Sequence, residues 1–127
     1  MKKTILLLSV LFTAVTYAQQ PLLLRQPAIN NDGSIVAFSF QGDIWTVSSK
    51  GGKATRLTIH EAYEGNPIFS PDGKQIAFVS NRTEDPDRNI NTDIFVMDAQ
   101  PKAIAKKITN WKGSDNNPIW SRIGARR

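Results

Sequence analysis

The sequence predicts an all-β chain: two four-stranded β-propeller blades followed by the first strand of a third, an incomplete propeller. Three observations carry that expectation. First, Gln26-Pro27-Ala28-Ile29-Asn30-Asn31-Asp32-Gly33-Ser34-Ile35-Val36-Ala37-Phe38 returns 40 positions later as Asn66-Pro67-Ile68-Phe69-Ser70-Pro71-Asp72-Gly73-Lys74-Gln75-Ile76-Ala77-Phe78, and Asn117-Pro118-Ile119-Trp120-Ser121 opens a further copy 51 positions on. A period of about 40 residues belongs to stacked or radial repeats, in which one unit cannot bury its own apolar faces. Second, each complete copy divides into four short apolar segments separated by turn residues, the strand count of a propeller blade. Third, nothing beyond residue 20 reads as an amphipathic helix, because the nearest candidate, 101–107, falls where the repeat places a turn and an edge strand.

The first strand of each unit is short, Ala28-Ile29 in the first copy, and leads into a tetrad: Asn30-Asn31-Asp32-Gly33, then Ser70-Pro71-Asp72-Gly73. Pro71 presets φ for the second turn position, Asp32 and Asp72 are turn formers, and Gly33 and Gly73 tolerate the left-handed backbone that enters the next strand. The second strand is 35–40 in one copy and 75–80 in the other. Val36, Phe38 and Phe40 alternate with Ile35 and Ala37, so both faces are apolar and the strand requires a layer on each side.

The third strand, Asp43-Ile44-Trp45-Thr46-Val47, is matched by Asp93-Ile94-Phe95-Val96-Met97 at an offset of 50. The offset lengthens because Gln41-Gly42 is replaced by the polar connection 81–92, an insertion of the kind that loops absorb. The fourth strand, 54–58, follows the glycine turn Lys50-Gly51-Gly52-Lys53 and is matched by 105–109. Its basic residues suit an outer strand that must resist edge pairing. Phe38, Trp45, Phe78 and Phe95 are the expected blade-packing residues, and Trp45 and Phe95 share one repeat position.

Residues 1–18 are set apart as a signal peptide: Lys2 and Lys3 form a basic start, Ile5 to Val15 an apolar core, and Thr16-Tyr17-Ala18 a small-residue cleavage site. The apolar core is shorter than the roughly 20 residues a spanning helix needs. The remaining organisation is expected to be 19–66 for the first blade with its lead-in, 67–117 for the second, and 118–127 for an aborted third repeat. After Trp120-Ser121 the repeat calls for Pro-Asp-Gly-Lys and a strand, whereas the chain has Arg122-Ile123-Gly124-Ala125-Arg126-Arg127, which suggests a truncated product. The chain lacks Cys although export permits disulfides, so stability must come from packing. Its 16 Lys and Arg against 11 Asp and Glu form no basic run and read as solvated surface, with no nucleic-acid partner and no membrane partner after the leader is removed.

Residues 22–121 resemble the WD-like propeller repeats of TolB and of tricorn-type peptidases, through Phe69-Ser70-Pro71-Asp72-Gly73-Lys74, Ile76-Ala77-Phe78 and Asp93-Ile94-Phe95-Val96-Met97-Asp98. The opening Pro21-Leu22-Leu23-Leu24-Arg25-Gln26-Pro27-Ala28-Ile29, with Phe40-Gln41-Gly42-Asp43-Ile44-Trp45, is similar to the N-terminal propeller of exported tricorn protease homologues. That resemblance implies a propeller that gates or channels peptides toward a serine peptidase domain far downstream. It carries no catalytic residue onto this chain. The expected function is a non-catalytic, periplasmic or secreted scaffold or gating part, whose partners are the remaining blades and the peptidase domain of a parent protein, with peptides or proteins as further partners. The alternatives are a TolB-type protein-binding propeller without enzymatic activity, or a blade fragment that assembles with copies of itself through its apolar faces.

Several side-chain groups bear on other chemistries. Asp87, Asn89, Asn91 and Asp93, with Asp98 at the twelfth position, follow the oxygen spacing of a calcium loop, but Thr92 stands where that loop requires Gly. His60 lies near Glu61, Tyr63 and Glu64 without a second His, a Cys or a nucleophile turn, and reads as a loop histidine. Ser70 and Ser121 read as turn formers. Trp45, Phe95, Trp111 and Trp120 could form a sugar- or peptide-stacking surface, but packing between adjacent blades explains Trp45 and Phe95 with one argument, and the exposed links Glu61 to Gly65 and Lys112 to Asn116 are the better candidates for ligand contact because loops on one face of a propeller bind. Asn81-Arg82-Thr83 fits a glycosylation pattern expected to go unused. No cofactor or metal is expected.

Overall fold

The computed structural model describes residues 23–121. The signal-peptide expectation and the sequence 122–127 lie outside the described residues. Eight strands form two separate four-stranded antiparallel sheets, each a simple meander: β1 (Arg25–Ile29), β2 (Ile35–Phe40), β3 (Asp43–Ser48), β4 (Thr55–Arg56), then β5 (Glu64–Phe69), β6 (Gln75–Ser80), β7 (Asp93–Asp98), β8 (Lys106–Lys107). Two blades of an open propeller account for the described residues, and the sheets do not close into a ring.

The inner strands start earlier than the repeat suggests. β1 begins at Arg25 and β5 at Glu64, so the second sheet starts ahead of residue 67. The reason is a bulge at the X-Pro step: Arg25 pairs with Ser39 but Ala28 with Ala37, and Gly65 pairs with Val79 but Ile68 with Ala77. Proline has no N–H for a ladder and is housed at such irregularities. The residue before it bends to positive φ in every copy, 53° at Gln26, 50° at Asn66 and 54° at Asn117. Residues 117–121 share that kink but form no strand.

The tetrads are turns closed by the N–H of Gly33 on the carbonyl of Asn30 (3.0 Å) and of Gly73 on Ser70 (2.8 Å), with φ of +75° and +71° at the glycines. Asp32 Oδ1 accepts from the Ser34 N–H, and Asp72 Oδ1 from the Lys74 N–H and the Ser70 hydroxyl. These hydrogen bonds, chiefly those from Ser34 and Ser70, hold both carboxyl groups below their ordinary pKa of 3.8.

One face of the first sheet packs on the opposite-numbered face of the second. Ala37, Ile44 and Leu57 join Ile76, Phe78, Phe95 and Met97 in one buried cluster, with Phe69 beside it. Phe78 and Phe95 stack with centroids 5.7 Å apart. Side chains alternate along a strand, so Val36, Phe38, Phe40, Trp45 and Val47 occupy the other, leading face of the first sheet. Phe38 and Trp45 are therefore directly cross-strand from each other on the face turned away from the second sheet, so the adjacent-blade packing expected of them is not made with that sheet. Trp45 meets Phe40 edge-on at 5.9 Å and donates its indole N–H to the Phe40 carbonyl. The trailing face of the second sheet carries Ala77, Val79 and Ile94, with Ile68, Val96 and Trp120 packed against them.

Candidate functional site

The third and fourth strands are held by the same polar clip in both sheets. Asp43, buried at the start of β3, accepts from Arg56 Nη2 and from the His60 N–H, while Thr58 Oγ1 accepts the Ile44 N–H at 2.9 Å. Fifty positions on, Asp93 takes Lys107 Nζ at 2.6 Å and Thr109 Oγ1 accepts the Ile94 N–H at 2.9 Å. The basic residues of the outer strands thus answer buried carboxylates, and the threonine hydroxyl replaces backbone pairing at the point where each outer strand ends after two residues.

Where the first sheet hands over to the second, the chain runs from the clip through His60 into β5. The N–H of Ala62 donates to His60 Nδ1 at 2.9 Å, which leaves the ring proton on Nε2. Glu64 follows, with no exposed surface, and its Oε1 accepts from Arg82 Nη2. The Arg82 guanidinium lies 4.3 Å from the Phe95 ring centroid, so the cation is held between a buried carboxylate and an aromatic face. Glu64 Oε2 and Arg82 Nε are buried without hydrogen-bond partners among the described residues.

Arg82 and His60 together border two adjoining clefts. One, of about 310 Å³, is lined also by Glu61, Asn81, Thr83 and Glu84. The other, of about 360 Å³, runs between Arg56–His60 and the turn at Pro101–Ala105. The donors that face solvent here suit binding and orientation of a polar ligand. No nucleophile accompanies His60 among these lining residues.

The link Glu61 to Gly65, read as exposed, is split: Glu61 and Tyr63 are exposed, but Glu64 and Gly65 are buried because β5 already begins there. Arg82, counted with the polar insertion and a glycosylation pattern, is the residue that organises the cleft. Asn81 Nδ2 is itself committed to the Asn89 carbonyl. The repeat held a signal for the buried pair: an acid recurs at Asp115, 51 positions after Glu64. Equivalent backbone bonds place both, Glu64 N–H to the Gly42 carbonyl and Asp115 N–H to the Thr92 carbonyl.

The other candidates do not converge. Asn89 Oδ1 accepts from the Asn91 N–H, Asn91 Nδ2 donates to Trp111, and Asp93 is held by Lys107, so the calcium spacing is not folded into a cage. No cluster of three His, Cys, Asp or Glu able to hold a metal occurs among the described residues. Ser70 Oγ is occupied by Asp72 and by the Gln75 N–H, and Ser121 is exposed at the end of the described chain. Trp45, Phe95, Trp111 and Trp120 lie apart: Phe95 is buried between the sheets, Trp111 is exposed in the second link, and Trp45 and Trp120 sit on opposite outer faces.

Residues 21–126 match the model of the tricorn protease N-terminal beta propeller domain. A putative tricorn protease homologue of Streptomyces coelicolor is 36% identical over 100 residues, covering 77% of this chain and 8% of the relative. Among solved structures, a putative TolB of Agrobacterium tumefaciens aligns with a TM-score of 0.58 at 25% identity, over 75% of this chain and 32% of that one. The tricorn protease aligns with the same TM-score at 26% identity, over 71% of this chain and 8% of its own. The chain therefore spans about a third or less of each of these proteins.

Proposed function

Because the chain belongs to the family of tricorn protease N-terminal β-propeller domains, we propose that it is a non-catalytic blade segment of an exported tricorn-like serine peptidase, a scaffold or gate for peptides on their way to a peptidase domain. The observation that carries this reading is the match across residues 21–126, which takes in both sheets and the start of the next repeat. The leader-like sequence 1–18 supports the reading that the protein is exported to the periplasm or beyond the cell. Its partners are the neighbouring blades and the peptidase domain of the parent protein. The His60–Arg82 clefts, open to solvent at the junction of two blades, are the part that touches a passing peptide.

The test is an immunoblot of exported protein with antibodies to residues 23–121, combined with fluorophosphonate labelling of serine hydrolases. A labelled polypeptide many times the length of this chain is the expected result. An unlabelled protein of single-propeller length would replace this reading with a TolB-type binding propeller.

A further inference from the structure

We propose that the first of the two clefts at the blade junction holds a primary ammonium group of a peptide between Glu61 and Glu84, while the His60 ring donates to a peptide carbonyl. The inference rests on the reading that these clefts touch a passing peptide, and it names the chemistry by which they do so. Both walls of the cleft are built by this chain. His60, Glu61 and Ala62 come from the link between β4 and β5, and Asn81, Arg82, Thr83, Glu84 and Pro86 from the connection between β6 and β7.

Charge decides the ligand. Glu61 and Glu84 are exposed, one on each wall, and neither forms an ion pair among the described residues. Arg82, the guanidinium that lines the cleft, is committed to Glu64 and lies over the Phe95 ring. Glu64 is itself fully buried, and its Oε2 has no hydrogen-bond partner among the described residues, so this pair leaves no positive charge over for the rim. Two carboxylates therefore stand uncompensated in a chain whose formal net charge is +5. Such a recess attracts an ammonium and repels a carboxylate. The carboxylates and His60 do not gather into a cluster able to hold a metal, whereas an ammonium brings three donors, each able to take its own acceptor.

Two further features orient the peptide. The Ala62 N–H donates to His60 Nδ1 at 2.9 Å, so the ring is neutral and offers its Nε2–H as a donor. On the facing wall, Asn81 folds the connection around itself. Its Oδ1 accepts from the Thr83 N–H at 3.2 Å and from the Thr83 hydroxyl at 2.7 Å, and its Nδ2 donates to the Asn89 carbonyl, so Glu84 leaves a braced turn. The adjoining cleft differs in sign, since no carboxylate lines it and Lys102 does. Of the two recesses, only the first suits a cation.

Nuclear magnetic resonance titration of the exported chain tests this with three peptides: tetra-alanine amide with a free amino terminus, its N-acetyl form, and the N-acetyl form with one alanine replaced by lysine. At least one amine-bearing peptide should bind about tenfold or more tighter than acetylated tetra-alanine, a difference of about 1.4 kcal/mol, and should shift the amides of residues 60–62 and 81–85. Which of the two binds tells an amino terminus from a lysine side chain. Glu61→Gln and Glu84→Gln alter exposed side chains. Each should weaken the amine-bearing peptide about threefold, and both together about tenfold, as for exposed ion pairs, with the acetylated peptide unaffected. Raising the salt to about 1 M, where the screening length is about 3 Å, should have the same effect. Equal binding of all three peptides, or glutamine variants that bind the amine-bearing peptide like wild type, would overturn the proposal and leave the clefts as a peptide contact of another chemistry. A folded chain that binds none of the three would overturn the proposal and the peptide contact together.

Discussion

The side-chain carbonyl of Gln26 accepts a 3.0 Å hydrogen bond from the backbone N–H of Asn66, the residue that holds Gln26's own place in the next repeat. The same oxygen accepts from Ser39 Oγ at 3.2 Å, so one amide joins its own sheet to the neighbouring one. A Cβ on Gly65 would lie 2.8 Å from that oxygen. Gln26→Ala should cost about 1 kcal/mol, the net worth of a typical hydrogen bond. Gly65→Ala should displace the same amide, so the double variant should lose less than the sum of the singles in urea denaturation. Full additivity would show the two positions to be independent.

Arg82→Ala leaves the carboxylate of Glu64 buried without its cation. The cost should be about 3–5 kcal/mol, as for breaking a buried pair from one side. Replacing both members together, Glu64→Leu with Arg82→Met, should cost less than Arg82→Ala alone, because no charge then remains to be solvated. Chemical denaturation of the three proteins gives the comparison, and a double variant weaker than Arg82→Ala would refute it.

The tetrad carboxylates make stability depend on acid. Asp32 and Asp72 titrate below 3.8 in the folded chain, through their hydrogen bonds to Ser34 and Ser70. The unfolded chain therefore takes up protons first as pH falls. The stabilisation is complete above the ordinary carboxyl value and is lost as pH drops through the lowered folded value. Asp32→Asn with Asp72→Asn should flatten the decline of the melting temperature between about pH 5 and pH 2. An unchanged acid slope would assign that decline to other carboxylates.

Gly73 sits at φ +71°, where a β-branched residue is strained. Gly73→Val should cost about 2 kcal/mol. At Gly113 a new Cβ would meet only the Trp111 indole, a side chain 72% exposed and free to swing aside. Gly113→Val should therefore stay within about 0.5 kcal/mol of wild type. Equal losses in thermal unfolding would contradict the turn geometry.

The strands that a tight turn precedes were legible to the residue. β2 and β6 span 35–40 and 75–80 as the tetrads dictate, because turn chemistry is local and Gly33 and Gly73 announce it. The inner strands were not, since proline reads as a strand boundary while the bulge lets β1 and β5 run through it. The outer strands, expected over five residues, keep two, because Thr58 and Thr109 take over the bonding. The aromatic repeat positions were found, but not which of them face a neighbour. Repetition makes Trp45 and Phe95 equivalent in place, whereas burial depends on what lies opposite. The Glu64–Arg82 pair was hidden because its members are 18 positions apart in two segments read as links.

The hairpin between the second and third strands of each sheet differs more than any other part of the repeat. In the first sheet it is Gln41-Gly42, both at positive φ, the tightest connection available. In the second it is 81–92, and that extra length brings Thr83, Glu84 and Pro86 to the wall of a cleft. The sheets on either side keep the same six-residue pairing register. A relative can therefore gain, reshape or lose this recess by inserting or deleting residues at one hairpin, and its binding surface is free to diverge while the core beneath stays fixed.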